Sequence, residues 1–191
     1  MLAVAVGAEA GEFTGSGYRL AMSLPRPAPS AIVVMGVSGT GKSTVGQALA
    51  DALGLPFVEG DSLHPAANVE KMSAGIPLTD ADRAPWLDRI AAELHRPVVV
   101  ACSALRRAYR DRLRADAPDL VLVYLHGTRE LLAERMAGRP GHFMPTSLLD
   151  SQLATLEPPG VDENAIEMDV VLPPAEIVAR VTSRLAISPR G

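Results

Sequence analysis

The run Gly36-Val37-Ser38-Gly39-Thr40-Gly41-Lys42-Ser43, followed by Thr44, fits the pattern G-x-x-x-x-G-K-[ST]. Glycines at this spacing let a loop turn its backbone N–H groups onto phosphate oxygens, and the helix that follows adds positive potential at its first turn. Lys42 is placed to reach the β- and γ-phosphates, and Ser43 to ligate Mg²⁺. Gly36 through Thr44 are therefore the candidate ATP-binding residues, with Lys42 also catalytic. Such a loop serves kinases, GTPases and motor ATPases alike. The two lysines, Lys42 and Lys71, leave no Asn-Lys-x-Asp guanine reader, and the remaining length is short for a motor. A small-molecule kinase matches the size.

A kinase also needs a group to receive its acceptor. Glu59 and Asp61 stand two residues apart after the apolar Phe57-Val58. A carboxylate there orients the attacking hydroxyl and takes its proton, and another holds Mg²⁺ through water. Asp61 is assigned the hydroxyl and Glu59 the metal shell; capping of the next turn is the alternative for Asp61. If Pro65 occupies the first turn of a helix, His64, Asn68 and Lys71 form one polar stripe suited to a polyhydroxylated anion. Thr79 and Asp82 have capping-box spacing, but Pro85 would then lie deep in the helix, so Asp82 is taken as the N-cap. Trp86, Leu87, Ile90, Ala91 and Leu94 would form its buried face, with Arg83 near its start for a substrate carboxylate. Ser103 lies at the same ligand edge or caps the next helix. Cys102 reads as packing.

Arg135 and Arg139 are one helical turn apart. One guanidinium is suited to stack on adenine and the other to neutralise charge on the transferring phosphoryl group. Arg135 is assigned to the nucleotide and Arg139 to catalysis. Gly138 and Gly141 would let the segment 138–148 close as a lid.

These residues need a frame. Ala31–Met35, Pro56–Val58, Val98–Ala101, Leu120–Leu125 and Met168–Leu172 read as strands. Ser43–Leu55, Ala104–Arg114, Arg129–Ala137 and Ala175–Leu185 read as helices. The alternation implies an α/β fold with a parallel sheet flanked by helices, and ligands at the carboxyl ends of its strands. Residues 62–95 look like a helical substrate-binding insertion. Residues 30–191 form one kinase domain and residues 1–29, rich in glycine and ending in prolines, a flexible extension. Met1–Val6 has no preceding basic residue, so a signal peptide is not expected; Met22 is a second candidate start.

Hydrophobic residues are 48% and charged residues 21% of 191, which excludes wholesale disorder. A net charge of −4 argues against a broadly basic nucleic-acid binder. No apolar run is long enough to span a membrane. One cysteine excludes an intrachain disulfide and a multi-cysteine zinc site, and points to the cytoplasm. A homodimer is left open.

Further words now carry a resemblance. They are Gly60-Asp61 with His64-Pro65, Asn68 with Lys71-Met72, Pro85-Trp86-Leu87, Cys102-Ser103-Ala104-Leu105, Gly141-His142-Phe143, and Gln152 with Leu156-Glu157. Over about residues 31–187 the chain resembles the gluconokinase family of P-loop carbohydrate kinases. The resemblance implies a five-stranded parallel core like that of adenylate and shikimate kinases, a mobile lid, and ATP-dependent phosphorylation of D-gluconate at its 6-hydroxyl. Arg106 stands where relatives often carry lysine. The residues alone leave open a kinase of another small hydroxy acid, such as shikimate, or a nucleotide-gated binding module.

Overall fold

The computed structural model describes residues 31–74, 76–138 and 146–187. The expected extension 1–29, Arg139 and most of the lid lie outside the described residues. Five strands form one sheet: β1 (Ile32–Met35), β2 (Phe57–Glu59), β3 (Val99–Ala101), β4 (Val121–His126) and β5 (Ile166–Asp169). All pair in parallel, in the order β2-β3-β1-β4-β5. Their carboxyl ends therefore share one edge, where the chain leaves Met35, Glu59, Ala101 and His126 for its loops.

Among the described residues seven α-helices flank the strands: α1 (Lys42–Leu53), α2 (Ala66–Ser73), α3 (Asp80–Glu93), α4 (Arg107–Asp116), α5 (Arg129–Ala137), α6 (Thr146–Thr155) and α7 (Pro174–Ile187). Alternate residues of β1 point to opposite faces, so Val33 and Met35 pack with α3 and α4 while Ile32 and Val34 pack with α1, α5 and α7. A strand covered on both sides must be apolar throughout, which is why Ile32–Met35 is an unbroken run with every side chain buried. No helix among the described residues is long and apolar enough to cross a membrane.

Four expectations are corrected. The last strand begins at Ile166, not Met168, because this edge strand alternates, with Ile166 and Met168 inward and Glu167 and Asp169 outward. The helix after β3 begins at Arg107, not Ala104: Ala104 takes φ 41°, a left-handed turn that no α-helix accommodates. Ser103 is therefore not its N-cap. Helix α3 begins at Asp80 with Thr79 as N-cap and a complete capping box to Asp82, so Pro85 lies inside the helix. Pro85 removes one helical hydrogen bond. The first turn is held from outside instead, through Asp80 and Asp82 as described below.

Candidate active site

Local backbone chemistry builds the phosphate cradle. Gly39 and Gly41 adopt φ 84° and 83°, in the left-handed region that glycine permits. Gly36, at φ 142°, passes so close to β4 that a Cβ would lie 2.4 Å from the Leu125 carbonyl oxygen. Around Gly41 nothing lies within 4 Å of that position, so the backbone there is open. The Val37 carbonyl accepts from Thr40 Oγ1 at 2.8 Å and from Lys42 Nζ at 3.1 Å. The Lys42 ammonium is thereby folded over the loop. Ser43 and Thr44 are exposed on the first turn of α1.

On the neighbouring side, β2 ends at Glu59 and the chain enters a single 3₁₀ turn, Gly60–Leu63. Gly60 has no alternative, since a Cβ would meet the Ala101 carbonyl oxygen at 2.4 Å. Its own carbonyl accepts from Trp86 Nε1 at 2.7 Å. Trp86 is 2% exposed, and its ring stacks on His64 at 4.4 Å with 10° between planes. Trp86 is thus core and site wall together. Asp61 is exposed, and its carboxylate makes no hydrogen bond among the described residues, so it does not cap the turn.

The polar stripe is more interlocked than its spacing suggests. Helix α2 starts at Ala66 with Pro65 as its N-cap, so His64 precedes the helix. Asn68 is buried; its Nδ2 donates to the Asp82 carbonyl at 2.8 Å and lies 3.3 Å from His64 Nδ1. Asn68 therefore ties the stripe to α3 through Asp82 and to His64. The contact makes Nδ1 the acceptor and leaves the His64 proton on Nε2. Burial lowers the His64 pKa, opposed by nearby Asp61 and reinforced by Arg83, so the ring is neutral near pH 7. Lys71 Nζ meets Asp82 Oδ1 at 2.6 Å, and this contact, with Thr79, holds the Asp82 carboxyl down at about 2.

Arg83, half-buried, donates to the Leu78 carbonyl, and its guanidinium lies 6.0 Å from the Tyr109 ring centroid. It forms no ion pair with a carboxylate among the described residues. Asp80 is already taken: it accepts from Tyr109 at 2.6 Å and from Arg106 at 2.8 and 3.1 Å, and both lower its pKa, the phenol more. Arg106 thus keeps a charge-paired role in spite of being the departure from lysine.

Two ties join the halves. The Gly36 N–H donates to the Ser103 carbonyl at 3.4 Å, placing half-buried Ser103 beside the loop. Arg110, 0% exposed, donates to the carbonyls of Ala104, Leu105 and Glu157 and to both oxygens of Glu163, which is also 0% exposed. A buried ion pair this well bonded satisfies the carbonyls of Ala104 and Glu157, shares that of Leu105 with the Glu157 N–H, and fixes the turn after β3. Sequence reasoning passed over Arg110 and Glu163, since 53 residues separate them and no local pattern links them. It also passed over any contact by Gln152, whose Oε1 accepts from the Ser38 N–H at 2.7 Å.

Arg135 is exposed at the end of α5 and donates to the Val170 carbonyl, beyond β5, at 2.6 Å. Cys102 is fully buried and its thiol is pushed up to about 12 by that burial, which makes it packing rather than a nucleophile. Among the described residues no three His, Cys, Asp or Glu gather to hold a metal. Ser43, exposed on the first turn of α1, and Glu59, at the end of β2, carry the oxygen donors that Mg²⁺ prefers; it takes one or two protein oxygens and completes its shell with phosphates and water.

Residues 32–159 match the family described as AAA domain. The chain is 54% identical over 156 residues to the gluconokinase of Gluconobacter oxydans, covering 75% of this chain and 88% of that protein. It is 46% identical over 160 residues to the probable gluconokinase of Xenopus tropicalis, covering 73% and 84%. The crystal structure of a gluconokinase from Sinorhizobium meliloti superimposes with a TM-score of 0.79 at 57% identity, over 84% of this chain and 94% of that one. The shikimate kinase of Bacteroides thetaiotaomicron shares the fold, with a TM-score of 0.61 at 17% identity over 83% and 99%.

Proposed function

The chain belongs to the gluconokinase family, and on that premise we propose that it transfers the terminal phosphoryl group of ATP to the 6-hydroxyl of D-gluconate. The products are 6-phospho-D-gluconate and ADP. Gly36 through Thr44 hold the nucleotide phosphates, and Lys42 balances charge at the β- and γ-phosphates. Ser43, and Glu59 through water, would hold Mg²⁺, which would supply neutralisation of phosphate charge. Asp61 orients the 6-hydroxyl and receives its proton while the new O–P bond forms and the bond from the γ-phosphorus to the β–γ bridging oxygen breaks. Arg135 flanks the base, and Arg139 stabilises the phosphoryl group from the lid. A single buried thiol suits a reducing compartment, so the reaction is assigned to the cytoplasm.

Arg83 carries the choice of substrate. A half-buried guanidinium without a carboxylate ion pair among the described residues, close enough to His64 and Asp80 to shift their pKa values, is matched by the carboxylate of an aldonate. The Nε2–H of neutral His64, the remaining ammonium protons of Lys71 and the Ser103 hydroxyl supply hydrogen bonds to the polyol, while Asn68 fixes His64.

A coupled ADP assay across D-gluconate, other aldonates, shikimate and D-glucose tests this. Gluconate should support turnover and glucose, which has no carboxylate, should not. Arg83→Ala should raise the gluconate KM about tenfold, the size of a charge-assisted hydrogen bond, with the ATP KM unchanged. ADP release independent of any acceptor would indicate a nucleotide-gated module; preference for shikimate would move the substrate to another hydroxy acid.

A further inference from the structure

The peptide unit between Val37 and Ser38 is gripped from both sides. Its carbonyl accepts from the Lys42 ammonium at 3.1 Å and the Thr40 hydroxyl at 2.8 Å. Its N–H donates to Gln152 Oε1 at 2.7 Å, across 114 residues of chain. A backbone N–H can only donate, so the side-chain oxygen must face it and the amide nitrogen is turned the other way. The support behind Gln152 is firm: Leu149, one turn earlier on α6, is 0% exposed in the same core as Val37, and Asp150 holds Arg129 of α5 at 2.7 and 3.0 Å.

We infer that Gln152 is a positioning residue for the nucleotide cradle, acting through the Val37–Ser38 peptide on Lys42. Hydrogen bonds at both ends of one peptide polarise each other, so the bond to Gln152 strengthens the carbonyl that receives Lys42. Without an acceptor at position 152 the half-buried Ser38 N–H is stranded and the peptide is free to rotate, carrying the Val37 carbonyl away from the ammonium. Gln152 also places the helix that follows residues 139–145 in direct register with the phosphate loop. Nothing in the motif G-x-x-x-x-G-K-[ST] specifies this contact.

This inference rests on the role given to Lys42, and a double-mutant cycle separates the two. Mg-ATP affinity would be measured by calorimetry for Gln152→Met, Lys42→Ala and the double variant, with melting curves and the gluconate KM alongside. Gln152→Met should weaken Mg-ATP about tenfold, the loss of one well-made hydrogen bond. Its gluconate KM should stay within about twofold of the parent. The double variant should bind no more weakly than Lys42→Ala, because Gln152 acts through that lysine. Additive losses, or unchanged Mg-ATP affinity in Gln152→Met, overturn the inference. If Lys42→Ala itself binds and turns over normally, the role of Lys42 fails first and the inference with it.

Should Gln152→Met not fold, Gln152→Glu replaces it. Its carboxylate still accepts from Ser38 but sets a negative charge beside the phosphates, so Mg-ATP binding should fall more than tenfold at low salt and recover in part at high salt. Mg-ATP affinity equal to the parent at low salt would overturn the inference.

Discussion

The nucleotide cradle and the acceptor side are built by opposite means. In the cradle, the loop carbonyl of Val37 is gripped by Thr40 and Lys42, three and five residues away. Glycine torsions and a helix start set most of its geometry, with Gln152 and Ser103 as contacts from farther along the chain. The acceptor side is made of pairs far apart in sequence: Trp86 with Gly60 at 26 residues, Arg106 with Asp80 at 26, Tyr109 with Asp80 at 29. Phosphate is the same in every nucleotide and can be read by backbone. A particular acid must be read by side chains, and side chains are aimed only by the packing of α2, α3 and α4. Changes on the acceptor side should therefore alter gluconate handling with little effect on ATP.

The sharpest break between the halves is Asp61→Asn. Losing general-base assistance should lower gluconate-dependent turnover by roughly 10²–10⁴-fold, while Mg-ATP affinity stays near the parent value. Steady-state kinetics and ATP titration on one preparation check it; lost ATP binding would instead put Asp61 in the metal shell.

Trp86→Phe is expected next. It strands the Gly60 carbonyl and removes part of the His64 stack, costing about 1–3 kcal/mol of stability by denaturant unfolding. The gluconate KM should rise and the ATP KM should not. Equal rises in both would erase the distinction between the halves.

Arg106→Ala should raise the gluconate KM severalfold, because Asp80, left with Tyr109 but no cation, competes for Arg83. Adding Asp80→Asn should bring the KM back. If the double variant is as impaired as Arg106→Ala, the contact is mere scaffolding.

The smallest effect concerns pH. Asp82 is held at about 2 by Lys71 and Thr79, below the ordinary carboxylate range. The unfolded chain therefore takes up this proton first as pH falls. The stabilisation is complete above the ordinary carboxylate pKa and is lost as pH falls from there through about 2. Lys71→Met should flatten stability in that window and leave it unaltered relative to the parent slope between pH 5 and 7. Urea unfolding from pH 2 to 7 reads this directly.

Much of the frame was legible. Ile32–Met35 announces a strand buried on both faces because every residue is apolar, and Arg129–Ala137 is a helix with the bounds its periodicity suggests. The edge strand Ile166–Asp169 was shifted because its alternation mixes core and solvent residues, and α6 has no continuous apolar stripe to announce it, with Leu149 buried and Leu153 partly so.

The phosphate loop, the alternation of strands and helices, and the two carboxylates after β2 are all readable from short stretches of chain. These depend on torsional freedom, hydrophobic period and strand direction, which a few neighbouring residues decide. Folding decides that Thr79 rather than Asp82 starts α3, that Asn68 bonds Asp82 and His64, that Asp80 pairs with Arg106 and Tyr109, and that Gln152 receives Ser38. Each of these is a choice among partners that the chain offers equally well on paper. What selects one is proximity after folding, because a hydrogen bond or ion pair has a range of a few ångströms and no signature at 26 or 114 residues of separation.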